Sequence, residues 1–220
     1  MKRASKNEVA PQAGDNTLSA LIPANLVIPG DQFVPCPKTL QWIRDTFLNE
    51  DSPLYNVEHD HLNSAQIGVL WTNAYNSRHG KQIVGTAELA KPPASLSKWA
   101  KARWEHQMKQ WFGDVALDFV ITLYAPYFAA IEELNQCASA EHELYHCGQQ
   151  KDGFGLPKFN RTTGKPLFTI RGHDAEEFVG IYRRYGYQAG AGDSVALVEA
   201  AMGKPEIGAA QMALMCGTCK

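Results

Sequence analysis

The chain has 220 residues, of which 45% are hydrophobic and 20% are charged, and its formal net charge is −2. This length and apolar content suit one globular domain, and the near-neutral charge argues against a protein that binds nucleic acid mainly through electrostatics. The sequence also lacks the run of 18 or more apolar residues that a membrane-spanning helix needs, so no membrane partner is expected.

Residues 1–31 are predicted to form a flexible N-terminal arm, and residues 32–220 to form the folded domain. The arm is rich in Ala, Asn, Pro and Gly, and its basic residues are not followed by the apolar stretch of a secretory signal. A cytoplasmic location is therefore expected, where the five cysteines would be reduced thiols. Cys216 and Cys219 form a C-x-x-C. Because no second such pair exists, this segment is interpreted as a frayed tail in preference to half of a zinc site or a redox pair.

Hydrophobic periodicity predicts a mixture of helices and strands. In chain order, we expect a helix at 38–48, strands at 65–72 and 81–89, a helix at 95–111, a strand at 118–124, a helix at about 127–148, a short strand at 167–170, and helices at 174–185, 194–202 and 206–214. His59 and His61 lie in a polar stretch that is interpreted as a surface loop. This order of elements favours an α+β fold, in which a small twisted sheet packs against the helix at 127–148 and C-terminal helices complete a cleft.

The most informative segment is His142-Glu143-Leu144-Tyr145-His146, which has the pattern H-E-x-x-H. Residues four apart share one face of a helix, so His142 and His146 can both present an imidazole nitrogen to one metal ion. Glu143 is then placed to accept a proton from a water on that metal. The opposite face of the predicted helix is apolar, which indicates that it packs on a core. Its members are Cys137, Ala140, Leu144 and Cys147.

A catalytic zinc site typically has three protein ligands, so a third ligand is expected farther along the chain. The continuation H-x-x-G-x-x-H is excluded, because Gly148 comes one place early and no histidine follows it at the required position. The best source is the segment 172–178. His173 is ranked first, because imidazole is the commonest metal ligand. Asp174 and Glu177 stay as alternatives, although acids in the first turn of a helix are also explained by the helix dipole.

Two stretches of this chain resemble the phage metallopeptidases, a family of small zincin-like proteins of phages and prophages. These stretches are ITLYAPYFAAIEELNQCASAEHELYHC and FNRTTGKPLFTIRGHDAEEFVGIYRRYG. The resemblance covers roughly residue 40 to the C-terminus, and more distantly it extends to SprT-like proteases and to the regulator-cleaving peptidases of mobile elements. It implies a zincin-like fold and a Zn²⁺ ion, but no particular substrate. In the regulator-cleaving peptidases an acid that precedes Ala is the third ligand, which keeps Asp174 as an alternative to His173.

These observations together predict an α+β, zincin-like zinc metallopeptidase that is encoded by a phage or prophage and hydrolyses a peptide or protein in the cytoplasm of a bacterial host. His142, His146 and His173 are the expected zinc ligands, and Glu143 is the expected general base. Three alternatives stay open: a zinc hydrolase that acts on a non-peptide amide, an inactive zincin that serves as a binding module, and a SprT-like protease associated with DNA. The mild net charge counts against the last of these.

Overall fold

The computed structural model describes residues 17–27, 30–78, 80–174, 194–208, 210 and 215–218, and in these ranges the chain mixes helices with one main sheet. The helices are α1 (Pro37–Ile43), α2 (Lys98–Phe112), α3 (Ala125–Phe128), α4 (Glu133–His146) and α5 (Ser194–Met202). The strands are β1 (Phe33–Pro35), β2 (Ile67–Thr72), β3 (Ser77–Arg78), β4 (Lys81–Leu89), β5 (Phe119–Tyr124), β6 (Cys147–Gln149), β7 (Phe168–Ile170) and β8 (Met215–Cys216). A π-helical turn (Arg44–Leu48) extends α1, and 3₁₀ helices cover Leu18–Leu21, Ala24–Val27 and Val57–Ser64.

The main sheet has the strand order β1-β2-β5-β4-β3, and β8 also pairs with β4. The two central strands, β2 and β5, run parallel to each other, and every residue of β2 is buried. Their apolar sequences, IGVLWT and FVITLY, are typical of strands that are covered on both faces. β4 is antiparallel to β5 and parallel to β8, so β4 lies between the centre of the sheet and its short edge strands.

Helix α4 packs against β4, and the face of α4 that the sequence predicts to be apolar is buried. Leu144 and Cys147 have no exposed surface, and Ala140 and Cys137 are nearly as well covered. The same core contains the rings of Trp71 and Phe128, which pack edge to face. This packing fixes the rotation of α4, which leaves His142 half-buried and His146 only 2% exposed.

The helix predicted at about 127–148 is wrong in its extent, because α3 and α4 are separate helices. Residues 129–132 interrupt them, and the side chain of Gln136 donates hydrogen bonds to the carbonyl oxygens of Phe128 (3.0 Å) and Ile131 (2.9 Å). A buried glutamine thus satisfies carbonyl groups that a continuous helix would have paired internally. At its other end α4 stops at His146, because residues 147–149 pair with β7 as a strand.

Residues 18–27 lie within the segment that the sequence predicts to be a flexible arm, but the structure packs them into the domain. Leu18 has no exposed surface, and the backbone N–H of Ser19 donates to Oε1 of Gln136 at 3.0 Å. The average composition of residues 1–31 conceals a short apolar run, LSALI, that can be buried as one turn of helix. We therefore propose that the folded domain begins at or before Leu18; residues 1–16 lie outside the described residues.

Several further predictions concern the C-terminal third of the chain. The strand at 167–170 and the helix at 194–202 are confirmed as β7 and α5. Apart from Asp174, the predicted helix at 174–185 lies outside the described residues. Residues 206–208 of the predicted last helix are not helical, and Met215–Cys216 form β8, although the sequence favours a frayed tail there. No helix in the described ranges combines the length and the hydrophobicity that crossing a bilayer requires.

Replacing Leu18 with Ala is expected to lower the free energy of unfolding by about 2–5 kcal/mol, because the change leaves a cavity in the core. Val57→Ala, at a side chain that is 67% exposed, is the matched control and should change stability by less than about 0.5 kcal/mol. Urea denaturation of both variants measures the difference. Equal stability of the two variants would show that the segment around Leu18 does not contribute to the fold.

Candidate metal centre

Three histidine side chains meet at one point beside helix α4. The Nε2 atom of His142 lies 3.3 Å from Nε2 of His146 and 3.2 Å from Nε2 of His173. The ligand atoms of these residues, here called the histidine cluster, all lie within 4.8 Å of one another. Two nitrogens that bind one tetrahedral ion at about 2.05 Å are separated by about 3.3 Å. The spacing in the histidine cluster therefore fits a single tetrahedral metal ion.

The two-stranded sheet of β6 and β7 brings His173 to α4, although His142 and His173 are 31 residues apart. β6 begins directly after His146, and its pairing with β7 places Arg171 beside the end of the helix. There the backbone N–H of Arg171 donates to the carbonyl oxygen of His146 at 2.9 Å. His173 follows Arg171 by two residues, and its imidazole ring lies beside that of His142.

A hydrogen bond through Nδ1, the ring nitrogen that does not face the histidine cluster, holds His146 in one orientation. Its Nδ1 lies 2.7 Å from the backbone carbonyl oxygen of Arg171. A carbonyl oxygen can only accept, so Nδ1 carries a proton, and Nε2 is the ring nitrogen that faces the histidine cluster. A hydrogen bond of this kind is the usual way in which a protein orients an imidazole toward a metal.

The two alternative third ligands are placed differently. The carboxylate of Asp174 accepts hydrogen bonds from the guanidinium of Arg171, with a distance of 3.2 Å from Nε, and it is not part of the histidine cluster. The same guanidinium lies 5.8 Å from the centre of the Tyr145 ring. Asp174 thus pairs with the Arg171 guanidinium, which lies over the Tyr145 ring. Glu177, the other alternative, lies outside the described residues.

Glu143 is only 2% exposed and points toward β4 and the segment 217–218. The hydroxyl of Thr218 lies 3.1 Å from its Oε2 atom, at hydrogen-bonding distance. On the other side, a Cβ atom added to Gly85 would lie 2.5 Å from Oε1, so any larger residue there would displace the carboxylate. The sequence identifies Glu143 through its motif, but it offers no signal for Gly85 or Thr218, because the tail stands out only for its cysteines.

A polar network joins α4 to the 3₁₀ helix Val57–Ser64. The side-chain amide nitrogen of Asn56 lies 2.8 Å from both Oε1 of Glu141 and the hydroxyl oxygen of Tyr145. Burial by itself raises the pKa of Glu141, but the nearby His59 ring and the hydrogen bond from Asn56 outweigh it and lower that pKa. Burial, and then hydrogen bonding with Glu58, raises the pKa of Tyr145 to about 12. At neutral pH Glu141 is therefore a carboxylate and Tyr145 is a neutral phenol.

The prediction that His59 and His61 lie in a surface loop is wrong for His59, which is 1% exposed. Its ring packs against Tyr145 with 4.6 Å between ring centres, and its Nε2 atom lies 3.4 Å from Oε1 of Glu141. His61 is half-buried, and its Nε2 atom is 2.7 Å from the carbonyl oxygen of Cys147, to which it donates. Both histidines thus contact α4 or β6: His59 lies against the Tyr145 ring and the Glu141 carboxylate of α4, and His61 bonds to the carbonyl oxygen of Cys147 in β6.

An open cleft of about 470 Å³ adjoins the histidine cluster. Besides the three histidines, Glu58, Tyr145, Arg171 and Leu197 contribute to its walls. Its volume lies in the range of sites that bind small molecules or short stretches of chain. The cleft therefore gives a substrate access to the point where the three imidazoles meet.

The fold and this site define a protein of mixed α and β structure with a three-histidine cluster that could hold a metal ion. A family model described as "Putative phage metallopeptidase" matches residues 40–202, which include α4, the H-E-x-x-H motif and His173. The match covers most of the chain, which therefore belongs to this family, as the sequence predicts. Searches of curated proteins and of solved structures gave no significant match. At the level of the family, the protein is a metallopeptidase that acts on peptides or proteins.

Proposed function

We propose that the protein is a zinc-dependent metallopeptidase with a zincin-like active site. His142, His146 and His173 hold the zinc ion, and Glu143 is the general base. The observation that carries this proposal is that Nε2 of His142 lies 3.3 Å from Nε2 of His146 and 3.2 Å from Nε2 of His173, two distances that suit ligands of one tetrahedral ion. Membership of the family supports a peptide or protein substrate, and it supports an origin in a phage or prophage.

The chemistry of the ligands favours zinc over harder ions. Neutral imidazole nitrogens suit Zn²⁺, whereas Mg²⁺ and Ca²⁺ prefer oxygen ligands. Three protein ligands with a fourth position open to solvent are typical of a catalytic zinc site, and the open cleft beside the histidine cluster provides that access. When bound, zinc acts as a Lewis acid that lowers the pKa of a water molecule and polarises the scissile carbonyl group.

The protein's own residues supply binding, orientation and proton transfer. The cleft binds the substrate beside the histidine cluster, and the Arg171 carbonyl group fixes the ring of His146. Glu143 accepts a proton from the attacking water and returns it to the leaving amine, which is the usual role of a general base that later acts as an acid. Because Glu143 is almost fully buried, its carboxylate is kept in one place between α4 and β4.

Removing the metal tests the proposal directly. Dialysis against a chelator is expected to abolish cleavage of an unfolded protein such as casein, and about one equivalent of zinc should restore it. Elemental analysis and gel-based cleavage assays measure the two quantities. If the protein binds zinc but cleaves no member of a broad peptide library, the peptidase assignment is wrong and a binding module is favoured. Hydrolysis of small non-peptide amides alone would favour the other hydrolase instead.

A further inference from the structure

The segment 215–218 lies along β4, next to the proposed general base. β8 pairs in parallel with β4, with Met215 opposite Ile83 and Cys216 opposite Gly85. Beyond the strand, the backbone N–H of Gly217 donates to the carbonyl oxygen of Gly85 at 2.8 Å. These backbone contacts bring residue 218 to the point where the side chain of Glu143 meets the sheet.

Two glycines make this close approach possible. A Cβ atom on Gly217 would lie 2.4 Å from Cγ2 of Thr86 and 2.6 Å from Cγ2 of Ile83. A Cβ atom on Gly85 would lie 2.5 Å from Oε1 of Glu143. Contacts this short do not occur between real side chains, so β4, α4 and the segment 215–218 can pack this closely only because both positions lack a side chain.

The hydroxyl group of Thr218 accepts a hydrogen bond from the backbone of β4 and lies within hydrogen-bonding distance of Glu143. The backbone N–H of Ala87 donates to its Oγ1 atom at 2.6 Å. Among the described residues, its single proton can go to Oε2 of Glu143, at 3.1 Å, or to the carbonyl oxygen of Ala87, at 3.3 Å. The carboxylate is the stronger acceptor, because a hydrogen bond to an ionised group is roughly twice as strong as one to a neutral group. Thr218 therefore links the backbone of β4 to one oxygen of the buried carboxylate.

We propose that Thr218 is a positioning residue for Glu143: its hydroxyl group anchors Oε2 to β4 and so fixes the plane of the carboxylate relative to the histidine cluster. This inference rests on the proposed function, in which Glu143 is the general base. Orientation matters there, because a misplacement of about 1 Å at a reacting group can cost about 10²-fold in rate. Thr218 does not touch the substrate or the metal in this role.

Replacing Thr218 with Val removes the hydroxyl group and keeps the shape of the side chain. We expect kcat to fall about tenfold or more, which corresponds to the loss of one hydrogen bond to a charged group, with KM and zinc content unchanged. Thr218→Ser keeps the hydroxyl and should restore kcat. Thr86→Val is the matched control, since Thr86 contacts the same segment but the described contacts of Thr218 do not include it; its kcat should equal that of the wild type.

A second measurement does not depend on activity. In metal-free protein with ¹³C-labelled glutamate, the Glu143 side-chain carboxyl resonance should shift in Thr218→Val and return in Thr218→Ser, and the Ala87 amide should exchange faster in the valine variant. Thr218→Ala serves the same comparison if valine disturbs the fold. An unchanged carboxyl resonance, or a valine variant with the kcat of the wild type, would overturn the inference. A wild-type protein that cleaves no peptide would contradict the proposed function instead, and the resonance alone would then decide the role of Thr218.

Discussion

Replacing Glu143 with Gln is expected to reduce peptide hydrolysis by about 10²–10⁴-fold, which is the usual contribution of a general base. The amide has nearly the same shape as the carboxylate, but it cannot accept a proton from the attacking water. Because Glu143 is not a member of the histidine cluster, zinc content should stay the same. The measurements are kcat/KM on a fluorogenic peptide and elemental analysis of the same preparation.

The matched control for this variant is Glu133→Gln, in the first turn of the same helix, which at 1.5 Å per residue places it about 13 Å along the helix axis from His142. It removes one negative charge from α4 without touching the site, so its activity should stay close to that of the wild type. Full activity in Glu143→Gln would contradict the mechanism. Loss of zinc together with activity would indicate that Glu143 binds the metal or supports its ligands.

Replacing His173 with Ala is expected to weaken zinc binding by about 100-fold or more. Loss of a residue that only orients a ligand already costs about 10–100-fold in metal affinity, and loss of a direct ligand should cost at least as much. Activity should fall in parallel, since two imidazoles hold the ion less firmly than three. Competition with a zinc indicator measures the affinity, and added zinc should recover part of the activity.

Asp174→Asn separates the possible third ligands. Asp174 is the neighbour of His173 and pairs with Arg171, so the variant should keep zinc affinity within about tenfold of the wild type. If Asp174→Asn loses zinc and His173→Ala keeps it, Asp174 is the third ligand. If both variants keep zinc, the ligand must come from elsewhere, and Glu177→Gln is the next variant to measure.

Local patterns in the sequence account for the parts of the site that depend on one helix. The spacing of His142 and His146 determines that both side chains share a face of α4, because an α-helix repeats every 3.6 residues. The apolar residues on the opposite face predict the burial of Leu144 and Cys147, which the structure confirms. The strand at 81–89 and the helix at 194–202 are likewise predicted with their observed bounds.

The sequence predicts less well those features that depend on residues far away in the chain. The interruption between α3 and α4 exists because Gln136 reaches back to free carbonyl groups, and a helical pattern does not reveal that competition. The burial of His59 depends on the ring of Tyr145 and the carboxylate of Glu141, which are far away in the chain. Leu18 is buried for the same kind of reason, against helices that follow it by more than a hundred residues.

By itself, the amino-acid sequence determined the family, the helix that carries the H-E-x-x-H motif and the identity of the proposed base, because a motif within one helix needs no information beyond the helical repeat. Only the tertiary structure decided that His173 meets His142 and that Thr218 meets Glu143. Both meetings depend on strand pairing, of β6 with β7 and of β4 with β8, between segments that are far apart in the chain. Such pairings depend on the free energy of the whole fold. They therefore cannot be predicted from the residues that lie next to each contact in the sequence.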